Sequence, residues 1–173
     1  KIGTGTAPIP RMMERGVRIA LGTDGAGTND NLILQESLRL AAMLHRPGEP
    51  DRNRWLSALD VLRMATDGGA HALLEQGRIG SIEPGRRADL VLYSLEAPWW
   101  VPMNDPLNQF VFAENGSSAD TVIVAGRILV ENRHVVAFDA DSILAEGRTM
   151  MAAILKRNAD IYGLAQKMGD FFP

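Results

Sequence analysis

Apolar positions in the first part of the chain follow two spacings. Val17-Arg18-Ile19-Ala20-Leu21 is a nearly continuous apolar run, the pattern of a parallel strand covered on both faces, with Arg18 as the departure. Ahead of it, "IPRMMERG" predicts a short helix, with Pro8 and Pro10 tolerated at its start and Gly16 placed to stop it. From Leu32 to His45, Leu34, Leu38, Ala41 and Leu44 recur at helical spacing. Ser57 is positioned to cap a second helix, "ALDVLRMA", and Thr66 a third, "DGGAHALL", ended by Gly77. This order of helix, strand and three helices fits the tail of an α/β barrel.

The pattern changes near Ile79. Glu83-Pro84-Gly85 carries Pro and Gly at the centre of a type II turn, and "ADLVLYSL" has strand composition. "ADTVIVAGRILVENRHVVAF" adds two or three strands, broken at Ala125-Gly126 and Glu131-Asn132, which together predict a small β-sandwich or barrel lobe. From Asp141 to about Lys167, Ile143, Leu144, Met150, Met151, Ile154, Leu155, Ile161 and Leu164 predict one long amphipathic helix that packs back on the body. The expected segments are therefore 1–78, 79–138 and 139–173. No internal repeat is visible.

Composition narrows the partners. The 173 residues are 46% hydrophobic and carry a net charge of -3, which leaves no electrostatic footprint for nucleic acid or an anionic membrane surface. Absence of cysteine removes disulfides, thiolate metal sites and cysteine nucleophiles, and no apolar run reaches the length of a membrane span. A cytoplasmic location is expected. The opening "KIGTGTAPIP" has neither an initiating Met nor the charged and apolar regions of a signal peptide, so a fragment of a longer chain is expected.

Candidate chemistry centres on Asp24, delivered at the end of the Val17–Leu21 run between Gly22 and Gly25. Active sites of α/β barrels assemble from the loops at that end of the strands. The competing reading is that Asp24 only starts a turn, bonded to local amides.

Five blocks in order, "TGTAPIPRMMERGVRIALGTDGAGTNDN", "LRLAAMLHR", "MATDGGAHAL", "IGSIEPGRRADLVLY" and "DTVIVAGRILVENRHVV", resemble the C-terminal part of the amidohydrolase superfamily. The branch resembled contains triazine hydrolases, S-adenosylhomocysteine and methylthioadenosine deaminases, and guanine and cytosine deaminases. The resemblance implies the C-terminal part of a distorted TIM (β/α)8 barrel, a small β-sandwich lobe and a long C-terminal helix. It implies a divalent metal, zinc before iron, beside Asp24, which accepts a proton from metal-bound water. Thr28-Asn29 stands where relatives commonly carry Ser-Asn, for contact with substrate or with the Asp24 loop, or as a capped loop end.

The departure from the family is in the histidines. The His-x-His pair and later histidine ligands have no counterpart, and His45, His71 and His134 read as surface or core residues. One carboxylate does not make a zinc site, so this chain alone is expected to be inactive and to need the missing N-terminal barrel half or another copy of itself. Exposed strand edge and apolar surface favour such association. The expected parent activity is hydrolytic deamination or dechlorination of a small aminated heterocycle. The alternative is a non-catalytic association module retaining this part of the fold. Of the remaining features, "GTGTAP" and "GTDGAG" lack the Gly-Lys-Ser/Thr of a phosphate loop, Trp99-Trp100 reads as a plug or a ligand surface, and Arg86-Arg87 as solvated charge beside a turn.

Overall fold

The computed structural model describes Gly3 and residues 5–169; Thr4 of the first glycine loop lies outside them. The chain divides into two compact units, the first ending at Arg133 and the second beginning at His134.

The first unit opens with α1 (Ile9–Glu14), which carries Pro in its first turn and is followed by Gly16 at φ 75°. A four-residue turn of helix, α2 (Ala26–Asn29), and then α3 (Leu34–Met43) follow. Ser57 begins α4 (Ala58–Arg63) with a full capping box: the Asp60 amide donates to Ser57 Oγ at 3.2 Å and the Ser57 amide to Asp60 Oδ2 at 2.9 Å. Such caps contribute about 1 kcal/mol. Thr66 does not cap a separate helix. The chain continues from α4 through a π-helical segment, Met64–Gly68, into α5 (Gly69–Ala72), and the Thr66 hydroxyl instead donates to the Leu62 carbonyl at 2.8 Å.

A seven-residue helix, α6 (Pro106–Phe112), has no counterpart in the sequence expectations; Asp105 caps it by accepting from the Asn108 amide at 3.0 Å. Helices α3, α4 and α6 pack together. Leu38 and Ala42 from α3, Ala58, Val61 and Met64 from α4 and its extension, and Val111 from α6 form the buried core with Leu56. Arg46 braces its edge: the guanidinium lies 4.9 Å from the Trp55 ring centre and 5.1 Å from that of Phe112, while its Nε donates to the Ala42 carbonyl.

The β-strands are antiparallel. β1 (Leu90–Tyr93) pairs with β2 (Ala119–Val124), Leu90 opposite Ile123, and β2 pairs with β3 (Arg127–Glu131), Val122 opposite Val130. The two-residue loop between β2 and β3 has both Ala125 and Gly126 at positive φ, 50° and 78°, as tight hairpins require. At the expected type II turn, the Arg86 amide donates to the Glu83 carbonyl at 3.1 Å with Gly85 at φ 88°. Tyr93 meets Phe110 edge-on at 5.1 Å, joining β1 to α6.

The expected parallel strand at Val17–Leu21 is not a strand: among the described residues it pairs with no other strand. A ladder needs a neighbour on which to place its N–H and C=O groups. Here the Leu21 amide donates to the Met64 carbonyl at 3.0 Å and the Val17 amide to Met12 at 3.0 Å.

The second unit comprises β4 (His134–Val135), α7 (Ala140–Arg157) and α8 (Ala159–Gly169). The single long helix expected there is interrupted at Asn158, whose amide and side chain both donate to the Ile154 carbonyl, at 3.0 and 2.9 Å. No described helix is long and apolar enough to cross a membrane.

Trp99 and Trp100, in the turn before α6, both donate their indole N–H to Glu114 Oε2, at 2.8 and 3.0 Å. Glu114 is 3% exposed, and its Oε1 accepts the amides of Asn115, Gly116 and Ser118. Burial pushes this carboxyl up, but the Trp99, Ser118 and Gly116 hydrogen bonds outweigh it and hold it below its ordinary value of 4.5. The unfolded chain therefore binds the proton more readily, and stability from Glu114 is present above about pH 4.5 and lost as pH falls through the lower folded value. Glu114→Gln places an NH2 group among donors and is expected to cost roughly 1–3 kcal/mol and to flatten stability over that acid window. Urea unfolding of both proteins between pH 3 and 7 measures this; an unchanged profile overturns it.

Candidate active-site loop

Gly22 through Asn29 fold into a self-bonded loop around Asp24. Asp24 itself adopts φ 63°, a left-handed conformation that short polar side chains tolerate because they bond their own backbone. Its Oδ1 accepts the Gly25 amide at 2.8 Å. The Thr28 hydroxyl donates to the Gly25 carbonyl at 2.8 Å, and Asn29 Nδ2 donates to the Thr23 carbonyl at 2.8 Å. Thr28 and Asn29 thus brace the loop on either side of Asp24. The Gly25 amide, and after it Thr28, lower the Asp24 carboxyl from its ordinary value, so it is an exposed anion at neutral pH.

The loop forms one wall of a cavity of about 750 Å³, whose other walls include Thr6, Ile19, Leu21, Ser37, Met64 and His45. That volume lies within the range of small-molecule sites. Asp24 is the cavity's carboxylate and His45 its imidazole. His45 was expected to close a helix, as a surface or core residue; sequence spacing gave no sign that the end of α3 faces the Asp24 loop.

The other sequence-noted residues lie elsewhere. His71 lines a separate cleft of about 310 Å³, where Arg18 Nη1 lies 3.1 Å from its Nδ1 and 3.2 Å from its Nε2. His134 belongs to the second unit. Arg86 is not simply solvated: Nη1 donates to the Ile79 carbonyl at 3.1 Å and Nη2 pairs with Glu83 at 3.3 Å, tying the turn to the preceding chain. Trp99 and Trp100 turn to Glu114, an acidic residue within "FVFAENGSS" that the sequence reading passed over.

Among the described residues, no group of three or more His, Cys, Asp or Glu side chains is arranged to hold a metal ion. Asp24 and His45 supply two donors to the cavity where a zinc site takes three or four protein ligands. The residues present do not by themselves fit a metal centre.

Residues 1–129 match the amidohydrolase family, and the chain belongs to it. It is 38% identical over 148 residues to a 5-methylthioadenosine/S-adenosylhomocysteine deaminase of Syntrophomonas wolfei, covering 86% of this chain and 34% of the relative. Among solved structures, an adenosine deaminase from Xanthomonas campestris with bound zinc is 33% identical with a TM-score of 0.85, covering 90% of this chain and 35% of that one. A zinc-complexed atrazine chlorohydrolase from Arthrobacter aurescens TC1 is 37% identical with a TM-score of 0.79, covering 86% and 33%. The chain spans about a third of the length of the curated relatives it matches.

The donor count has a direct consequence. After dialysis against zinc-free buffer, the purified 173-residue chain is expected to retain well under one zinc per chain by atomic absorption. A single zinc held tightly without any other polypeptide overturns the count.

Proposed function

We propose that this chain is part of a metal-dependent amidohydrolase that hydrolytically removes an amino or chloro substituent from a small aminated heterocycle, and that Asp24 is its proton-transferring carboxylate. The observation that carries the reading is the exposed, hydrogen-bonded Asp24 carboxylate set in the wall of a ligand-sized cavity. The relatives support the reaction class: they include proteins named as deaminases and as a chlorohydrolase. A non-catalytic association module is not favoured, because the likeness to these enzymes includes the Asp24 loop.

The chemistry open to Asp24 follows from its surroundings. Hydrolysis of a carbon–nitrogen or carbon–chlorine bond requires a group that takes a proton from the attacking water and returns one to the product or leaving group. Oδ1 is engaged by the Gly25 amide, which holds the carboxylate in one orientation while it stays ionised and able to accept. Thr28 and Asn29 act on the backbone on either side, Thr28 on Gly25 and Asn29 on Thr23. Because Thr28 and Asn29 also line the cavity, their exposed atoms are available to a substrate.

Zinc is the favoured metal and iron the alternative; Asp24 is this chain's ligand for it, and the missing donors come from the N-terminal barrel half or another copy of the chain. The chain on its own is then inactive. The protein is cytoplasmic in this reading.

The test measures ammonia release from S-adenosylhomocysteine and 5-methylthioadenosine, and chloride release from atrazine, by the protein that carries this chain. Asp24→Asn keeps the side-chain shape and the bond from Gly25 but removes the base. It is expected to lower kcat by about 10²–10⁴-fold with little change in KM. Full turnover in Asp24→Asn overturns the assignment.

A further inference from the structure

The segment that carries Asp24 is held by a helix instead of a sheet, and the contact is unusually close. A Cβ built on Gly68 would stand 2.2 Å from the Ile19 carbonyl oxygen, 3.2 Å from its carbon and 3.3 Å from Ala20 Cα. These are backbone atoms, so no side-chain rotation relieves the overlap. Gly68 is not required for its dihedral angles: φ -59° and ψ -44° are ordinary helical values, shared within a degree by Gly69 at -60° and -44°. Gly69, by contrast, has nothing within 4 Å of its would-be Cβ. Glycine is demanded at 68 by the approach of Ile19-Ala20 alone.

The same stretch supplies the polar half of the contact. Met64–Gly68 is the π-helical segment, in which carbonyls leave the ordinary i to i+4 pattern. Met64, its first residue, is buried, and its carbonyl accepts the Leu21 amide at 3.0 Å. Steric contact at Ile19 and a hydrogen bond at Leu21 thus meet one helical turn and fix the chain just before Gly22 and Asp24.

We propose that Gly68 is a positioning residue for Asp24: with the Met64 carbonyl, it sets how far the Asp24 segment sits from the helix and so where the carboxylate stands in the cavity. This rests on the role given to Asp24 above. A methyl group at 68 drives the Ile19 oxygen back by at least about 0.8 Å before reaching even the 3.0 Å lower limit of real Cβ contacts. Displacements near 1 Å at a catalytic group cost on the order of 10²-fold in rate.

Gly68→Ala and Gly69→Ala form the test pair, since both make the same chemical change in the same helix and differ only in the contact. Amide hydrogen exchange of the whole chain reads the clip, with the Met64 amide, which donates to the Asp60 and Val61 carbonyls, as internal reference. In the wild type, Leu21 is expected to exchange in step with Met64; in Gly68→Ala it is expected to exchange at least about tenfold faster than Met64, and in Gly69→Ala to be unchanged. In the protein that carries this chain, Gly68→Ala is expected to lower kcat by about 10- to 100-fold with KM little altered, and Gly69→Ala to leave both intact. Leu21 exchanging at an open-chain rate in the wild type, while Met64 is protected, overturns the proposal even if Gly68→Ala does not fold. Equal turnover in the two variants also overturns it. Full turnover in Asp24→Asn instead overturns the role of Asp24 and leaves the clip to be decided by Leu21 exchange.

Discussion

A peptide group taken out of water must find a hydrogen-bond partner, and an extended segment normally finds it in the next strand. Residues 17–24 have no such strand among the described residues. Their position depends on a helix that interrupts its own pattern to offer the Met64 carbonyl, and on a glycine that lets two backbones touch. The Asp24 loop beyond is nearly self-sufficient, closed by Thr28 and Asn29 onto its own carbonyls. Local bonds therefore shape the loop, while the tertiary contacts at Ile19 and Leu21 locate it.

Much of the local structure was legible in the chain. Ser57 marked a helix start, Pro84-Gly85 a turn, and Ala125-Gly126 a break between strands, because each depends on residues within a few positions of one another. Expectations failed where the deciding atom was remote. Val17–Leu21 has strand composition, yet being a strand depends on neighbours. Thr66 read as the cap of a new helix containing Gly68 and Gly69, whereas the helix runs on from α4 through Thr66 and Gly68 answers to the Ile19 carbonyl. Helix α6 did carry a local signal, Asp105 followed by Pro106 at its first position, that the reading passed over.

For the candidate site, Asp24, Thr28 and Asn29 were visible as a cluster in sequence and come together in space. His45 was not, because its proximity comes from the path of α3 across the cavity. The chain belongs to the amidohydrolase family, but the donor count among its described residues falls short of a metal centre. The proposed reading accommodates both by drawing the missing donors from outside this chain, which spans about a third of the length of its relatives.

The three tryptophans have a further use. Each indole N–H is engaged: Trp55 with the Glu49 carbonyl at 2.7 Å, Trp99 and Trp100 with Glu114. Trp55 also lies under two guanidinium groups, those of Arg46 and Arg52. Intrinsic fluorescence of this chain therefore samples two separate anchoring points, one beside α3 and one before β2, and a chromophore left at only one of them by Trp→Phe replacement would tell which lets go first.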